Sequence, residues 1–146
     1  MRILSGIYKG RIISPPKNLP IRPTTDRTKE SLINILIHNY GLEGKEVLDL
    51  FAGSGTMGIE FLSNGASHLC SVEINQGCTH WLRDLKLELE IKSWDIQQNE
   101  VTAYLNNDPE SFDLIFADPP YNWPGMASLP DLIMKNAKLN SKGILI

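Results

Sequence analysis

The sequence predicts an α/β fold built on a mostly parallel, doubly wound sheet. Short apolar runs ("EVLDLF", "HLCSVE", "DLIFA") alternate with segments of helical period, as in a chain of β-α units. The first run leads into a glycine-rich turn, Gly53-Ser54-Gly55-Thr56-Met57-Gly58, that opens a helix. The third runs straight into Asp118-Pro119-Pro120-Tyr121. Its two prolines remove backbone donors and fix φ, so the sheet stops there in a stiff turn at a strand's C-terminal end.

In order along the chain, "RILSGIYKGRIIS" alternates loosely around Gly6 and Gly10 and predicts a strand pair or hairpin. "PPKNLPIRPTT" is a Pro-rich connector. Thr25 or Asp26 can cap a helix whose apolar positions are Leu32, Ile33, Leu36 and Ile37, with Gly41 as its stop. A buried strand spans Val47 to Phe51, and the helix "TMGIEFLSNGA" ends near Gly65. The next strand ends in Glu73, and "CTHWLRDLKLELE" is helical. "IKSWDIQ" predicts a weaker strand ending near Asp95. The helix "EVTAYLNN", the strand "FDLIFADPPY", the helix "LPDLIMKNAKLN" and a strand begun by "KGILI" complete the series. With the last strand at the terminus, the C-terminal strands of the sheet are expected to be missing.

The 146 residues, 42% of them hydrophobic, suit one core. Charge is unevenly spread. Residues 1–30 carry seven Lys/Arg against two acids, a net of +5. The remainder carries seven against fifteen, a net of −8. A basic arm on an acidic body points towards nucleic acid. Cys70 and Cys78 lack partners at metal-ligand spacing, so both are expected to be reduced thiols in a cytoplasmic protein, with no metal. No run has the length of a membrane span, and no membrane partner is expected.

The glycine turn alone fits several nucleotide-binding folds. Asp49, four residues before Gly53, separates them. A carboxylate is unfavourable beside a pyrophosphate and favourable beside an ammonium group. S-adenosylmethionine carries an ammonium and a sulfonium. Glu73 can accept both hydroxyls of a ribose, which suits a nicotinamide dinucleotide equally well. Asp95 could accept from an adenine amino group. At the opening turn, Asp118 and the carbonyl beside Pro119 are two acceptors, and Tyr121 is a flat surface. Together they suit a planar base with an exocyclic amine. His38, His68 and His80 all fall away from strand C-termini, so no histidine base is expected.

The glycine turn, the acid ending the second strand and "DPPY" together resemble S-adenosylmethionine-dependent amino-methyltransferases of nucleic acid bases. "MRILSGIYKGRIISPP" followed by "IRPTTDRTKESLINIL" is similar to the bacterial 16S rRNA guanine-N2 methyltransferases of the guanine 966 type. The match runs through Arg22, Pro23, Thr24, Asp26, Arg27, Glu30, Leu32 and Asn34, with Ile33 in place of the usual Phe.

The resemblance implies a Rossmann-like methyltransferase domain over residues 24–146. Residues 1–23 would be a basic β-hairpin and Pro-rich connector that bind RNA. Its cofactor would be S-adenosylmethionine, held by Asp49, Phe51, Gly53, Ser54, Gly55, Glu73 and Asp95, with the backbone of Ala52, Ile74 and Ile96. Its base-binding turn would be Asp118, Pro119, Pro120 and Tyr121. Arg2, Lys9, Arg11, Arg22 and Arg27 would meet phosphates, and Thr24 and Thr25 would face the methionine end of the cofactor. The implied substrate is 16S rRNA in a partly assembled small ribosomal subunit, met by a monomer. Two departures stand out: residues 81–96 fit the family loosely, and family members continue with two further strands. Three other activities remain open: methylation of an adenine amino group, non-catalytic binding of the cofactor and RNA in assembly, and nicotinamide-dependent oxidoreduction.

Overall fold

The computed structural model describes residues 2–21 and 25–146. Five strands form one parallel sheet: β1 (Glu46–Leu50), β2 (His68–Glu73), β3 (Trp94–Gln98), β4 (Phe112–Ala117) and β5 (Leu139–Leu145). Their spatial order is β3-β2-β1-β4-β5. The chain builds outward from β1 on one side, then returns to build outward on the other. The C-terminal ends of β1 and β4 therefore border the switch point, where open α/β sheets hold ligands.

β1 is central and buried on both faces from Val47 on, which is why its sequence after the exposed Glu46 is apolar except at Asp49. Leu48 and Leu50 face the core under α4 (Val101–Asn107) and α5 (Leu129–Lys135). Val47 faces the opposite core, under α1 (Asp26–Asn39), α2 (Thr56–Ser63) and α3 (Gln76–Glu88). Alternation puts the Asp49 side chain on that second face, against α2. Each helix starts where its sequence supplies a cap or a turn. The Thr25 hydroxyl accepts from Thr28 N at 3.2 Å, and the Asn75 carboxamide accepts from Cys78 N at 3.0 Å. α2 begins at Gly55, whose φ of +75° places it in the left-handed region.

The structure corrects two expectations. The N-terminal strand pair is one antiparallel bridge, Arg2 with Ile12, around a run of turns. Ile3 N donates to Arg11 O at 2.9 Å and Gly10 N to Ile3 O at 2.8 Å across this short pair, and the arm's next donors go to α2. Leu4 N donates to Glu60 Oε1 at 2.8 Å, Ile7 N to Ser63 O at 2.8 Å and Tyr8 N to Ser63 Oγ at 3.0 Å. A Cβ on Gly6 would sit 1.7 Å from Ser63 O, so only glycine permits this contact. The second correction is β3, which runs on to Gln98. Asp95 is its second residue, opposite Cys70, with a carboxylate oxygen 3.4 Å from Nε2 of His68 at the start of β2. It stands at the N-terminal edge of the sheet, away from Glu73, and Ile96 lies mid-strand opposite Ser71.

A buried ion pair fastens the arm. Lys29 on α1 and Glu60 on α2 are both fully buried, with 3.9 Å between Nζ and Oε1. Lys29 also donates to Arg2 O at 3.1 Å and lies 3.1 Å from Asp26. Breaking a buried pair from one side leaves an uncompensated charge. Lys29→Met should therefore cost about 3 kcal/mol in urea unfolding, and Lys29→Met with Glu60→Gln should recover part of it. A single substitution with no cost would show that the pair does not hold the arm.

Candidate active site

One cleft of about 880 Å³ opens at the C-terminal ends of β1, β2 and β4. It brings together most of the residues singled out in the sequence. Asp49, Phe51, Gly53, Ser54 and Glu73 line one part, and Asp118, Pro119, Pro120 and Tyr121 the other. Asp95, Gly55 and the described basic residues are not part of that lining. Asp95 is at the far edge of the sheet. Gly55 packs inward, where a Cβ would meet Leu82 at 2.4 Å and the Trp94 ring at 3.3 Å. Arg22 and Thr24 lie outside the described residues. Arg2, Lys9, Arg11 and Arg27 are exposed, and the Arg11 guanidinium sits 5.6 Å from the Tyr8 ring centroid. Thr25 does reach the cleft wall.

Glu73 is held for work on one side. Its two oxygens accept from Gly53 N at 2.9 Å and Asn75 N at 2.8 Å. Each oxygen keeps a lone pair for a second donor, so the carboxylate can take two adjacent hydroxyls. Asp49 is only 1% exposed, and its Oδ2 has no hydrogen-bond partner among the described residues. A Cβ at Gly58 would sit 3.2 Å from that oxygen and 2.7 Å from Leu69 Cδ2, so this turn of α2 needs glycine to pass the acid. Burial, then Glu73, then Asp118 push the Asp49 carboxyl up from 3.8 to about 8, while the Gly58 N–H pulls it down. Asp118 and Tyr121 are exposed, the latter at 85%.

The connector forms a wall that sequence reasoning missed. Leu19, Pro20 and Ile21 line the cleft, with Ile21 Cγ2 3.4 Å from the Cβ position of Gly53. Thr28, Ala52, Thr56, Met57, Ile74, Phe116 and Asn122 also line it. Ile74 is 65% exposed beside Glu73 at the cleft.

An orphaned acid amid two others calls for a cation, and the hydroxyl acceptor next to it calls for a ribose. S-adenosylmethionine carries both, and the residues present fit it. The fold and cleft are those of an S-adenosylmethionine-dependent methyltransferase. Over residues 1–146 the chain matches the model of the family described as "Conserved hypothetical protein 95", and it belongs to that family. It is 34% identical to "Putative rRNA methyltransferase YlbH" of Bacillus subtilis, covering 100% of this chain and 80% of that protein. It is 30% identical to "Ribosomal RNA small subunit methyltransferase D" of Buchnera aphidicola, covering 99% and 74%. Among solved structures, "Putative methyltransferase yhhF from Escherichia coli" superposes with a TM-score of 0.89 at 25% identity, covering 99% and 77%.

Because its folded pKa is raised, Asp49 favours the fold below about pH 4 and loses that contribution as pH rises through about 8. Asp49→Asn removes the loss. The melting temperature of Asp49→Asn minus that of the unmodified protein should grow between pH 5 and pH 9 in thermal scans. A constant difference would mean that the carboxyl titrates normally.

Proposed function

We propose that the protein transfers the methyl group of S-adenosylmethionine to the exocyclic N2 of a guanine in 16S rRNA. The observation that supports this best is the joining, in one cleft, of the Asp49–Glu73 cofactor wall with the Asp118–Tyr121 turn. The small-subunit rRNA methyltransferase among its relatives supports the substrate class. Residues 24–146 form the catalytic body in this reading. Residues 1–23 are an RNA-binding arm, in which Arg2, Lys9, Arg11 and Arg22, with Arg27 beside them, meet phosphates. The enzyme works as a monomer in the cytoplasm.

The residues divide the work. Asp49 takes the ammonium of the cofactor and Glu73 its ribose hydroxyls, and the Gly53–Ser54 loop lies close against it. When bound, S-adenosylmethionine supplies a methyl group on a positively charged sulfur. Asp118 and the Pro119 carbonyl accept the two amine hydrogens, and Tyr121 stacks on the base. These acceptors turn the nitrogen lone pair out of conjugation and towards the donor. Their hydrogen bonds strengthen as the nitrogen becomes positive, so they lower the barrier more than they tighten ground-state binding. Asp118 then leads the displaced proton to solvent. No stronger base is needed, because the proton leaves an already cationic nitrogen.

A base held in a folded subunit has to be splayed out before Tyr121 can stack on it. Partly assembled small subunits should therefore accept tritium from labelled S-adenosylmethionine faster than mature ones or short hairpins. Asp118→Ala should reduce transfer at least about 100-fold while cofactor binding by calorimetry persists. Labelled N6-methyladenine in the digested RNA, in place of N2-methylguanine, would overturn the choice of base. Loss of cofactor binding in Asp118→Ala would overturn the role of the turn.

A further inference from the structure

Resting on that reading of the cleft, we propose that Trp123 is a positioning residue. It fixes the base-binding turn against the cofactor loop by packing edge-on to Phe51.

Phe51 is the residue at which β1 becomes the glycine loop. Its φ is +67°, a left-handed conformation that a bulky residue adopts only where its surroundings hold it. The next backbone groups are already tied down. Ala52 N donates to Val72 O at 3.0 Å and Gly53 N donates to Glu73. The Phe51 ring is held from the other side. It meets Trp123 with centroids 4.9 Å apart and planes at 71°, an edge-to-face contact.

Trp123 belongs to the turn. Its N–H donates to Pro120 O at 2.8 Å, closing the backbone beneath Tyr121 and Asn122. Gly125 makes room for its ring, since a Cβ there would lie 2.4 Å from Cη2. One side chain thus joins the two halves of the cleft. Contacts run from Pro120 through Trp123 and Phe51 to the loop that Glu73 holds. Asp118 and Tyr121 follow the end of β4, and this contact adds a second hold on the distance of their turn from the loop. Transfer between two bound groups depends steeply on that distance, while affinity for the cofactor alone does not.

The test compares Trp123→Ala, Trp123→Phe and Phe51→Leu with the unmodified chain. Three quantities are measured: single-turnover tritium transfer to small-subunit RNA at saturating S-adenosylmethionine, S-adenosylhomocysteine affinity, and chymotryptic cleavage after Tyr121. Trp123→Ala should slow transfer about 100-fold, change affinity less than about threefold, and speed cleavage after Tyr121 at a temperature well below melting. Trp123→Phe keeps an edge for Phe51 and should restore most of the rate. Adding Phe51→Leu to Trp123→Ala should slow transfer little further, because both remove one contact. Should Trp123→Ala fail to fold, Trp123→Leu takes its place. Unchanged cleavage after Tyr121 in the variant overturns the tether whatever the activity. Faster cleavage with no transfer by the unmodified chain upholds the tether and sinks the substrate reading instead.

Discussion

A carboxylate buried in the middle of the central strand is the constraint on which the site depends. Asp49 sits among apolar neighbours, with one oxygen unpaired among the described residues and two further acids nearby. Nothing in the packing of β1 asks for it, and apolar residues would serve the core better. Its neighbours are arranged around it. Gly58 leaves α2 close enough to cover it without a clash, and Glu73 is locked in place by the glycine loop. Burial and the two acids favour its neutral, protonated form in the empty cleft. An ammonium placed beside it would favour the ionised form, so its charge state is coupled to a cationic ligand.

The same helix carries a second buried acid for a different purpose. Glu60 accepts from the arm and faces Lys29, so α2 joins arm, α1 and cofactor loop in one packed unit. The arm's turns are consequently fixed to the body while its basic side chains are exposed. In the proposed function, such an arrangement would present phosphate contacts at a defined distance from the cleft. The connector contributes directly, since Leu19 to Ile21 are part of the cleft wall. The basic arm and the part of the connector that lines the cleft are neighbours in sequence.

Much of this was legible because it rests on strong local signals. Apolar runs bounded by Gly and Pro gave the strands, and an acid inside such a run marked Asp49 as functional. The prolines at 119 and 120 fixed where β4 must stop. Other features had no local signal. After Asp95 the chain continues "IQQNE" without Gly or Pro, so no local signal marks the end of β3 at Gln98 or sets Asp95 at its start. Gly55 resembles a ligand-cradling glycine in sequence, yet its constraint is the Leu82 and Trp94 packing behind it. The alternation in the arm predicts a hairpin, but only a short pairing forms, and the arm also bonds to α2, 50 to 60 residues away in sequence. The role of Leu19 to Ile21 arises from docking of a connector, which no periodicity encodes.

The central claim is that the buried Asp49 awaits a cation, and proton release tests it most directly. S-adenosylhomocysteine keeps the ammonium and is chemically inert, so its binding can be followed by calorimetry at pH 7 in two buffers of different ionisation enthalpy. A carboxyl protonated in the free protein and ionised against an ammonium must release on the order of one proton per ligand bound, and Asp49→Asn must abolish that release. Binding without proton release, unchanged in Asp49→Asn, would show that the acid neither holds a proton in the free protein nor meets the cofactor.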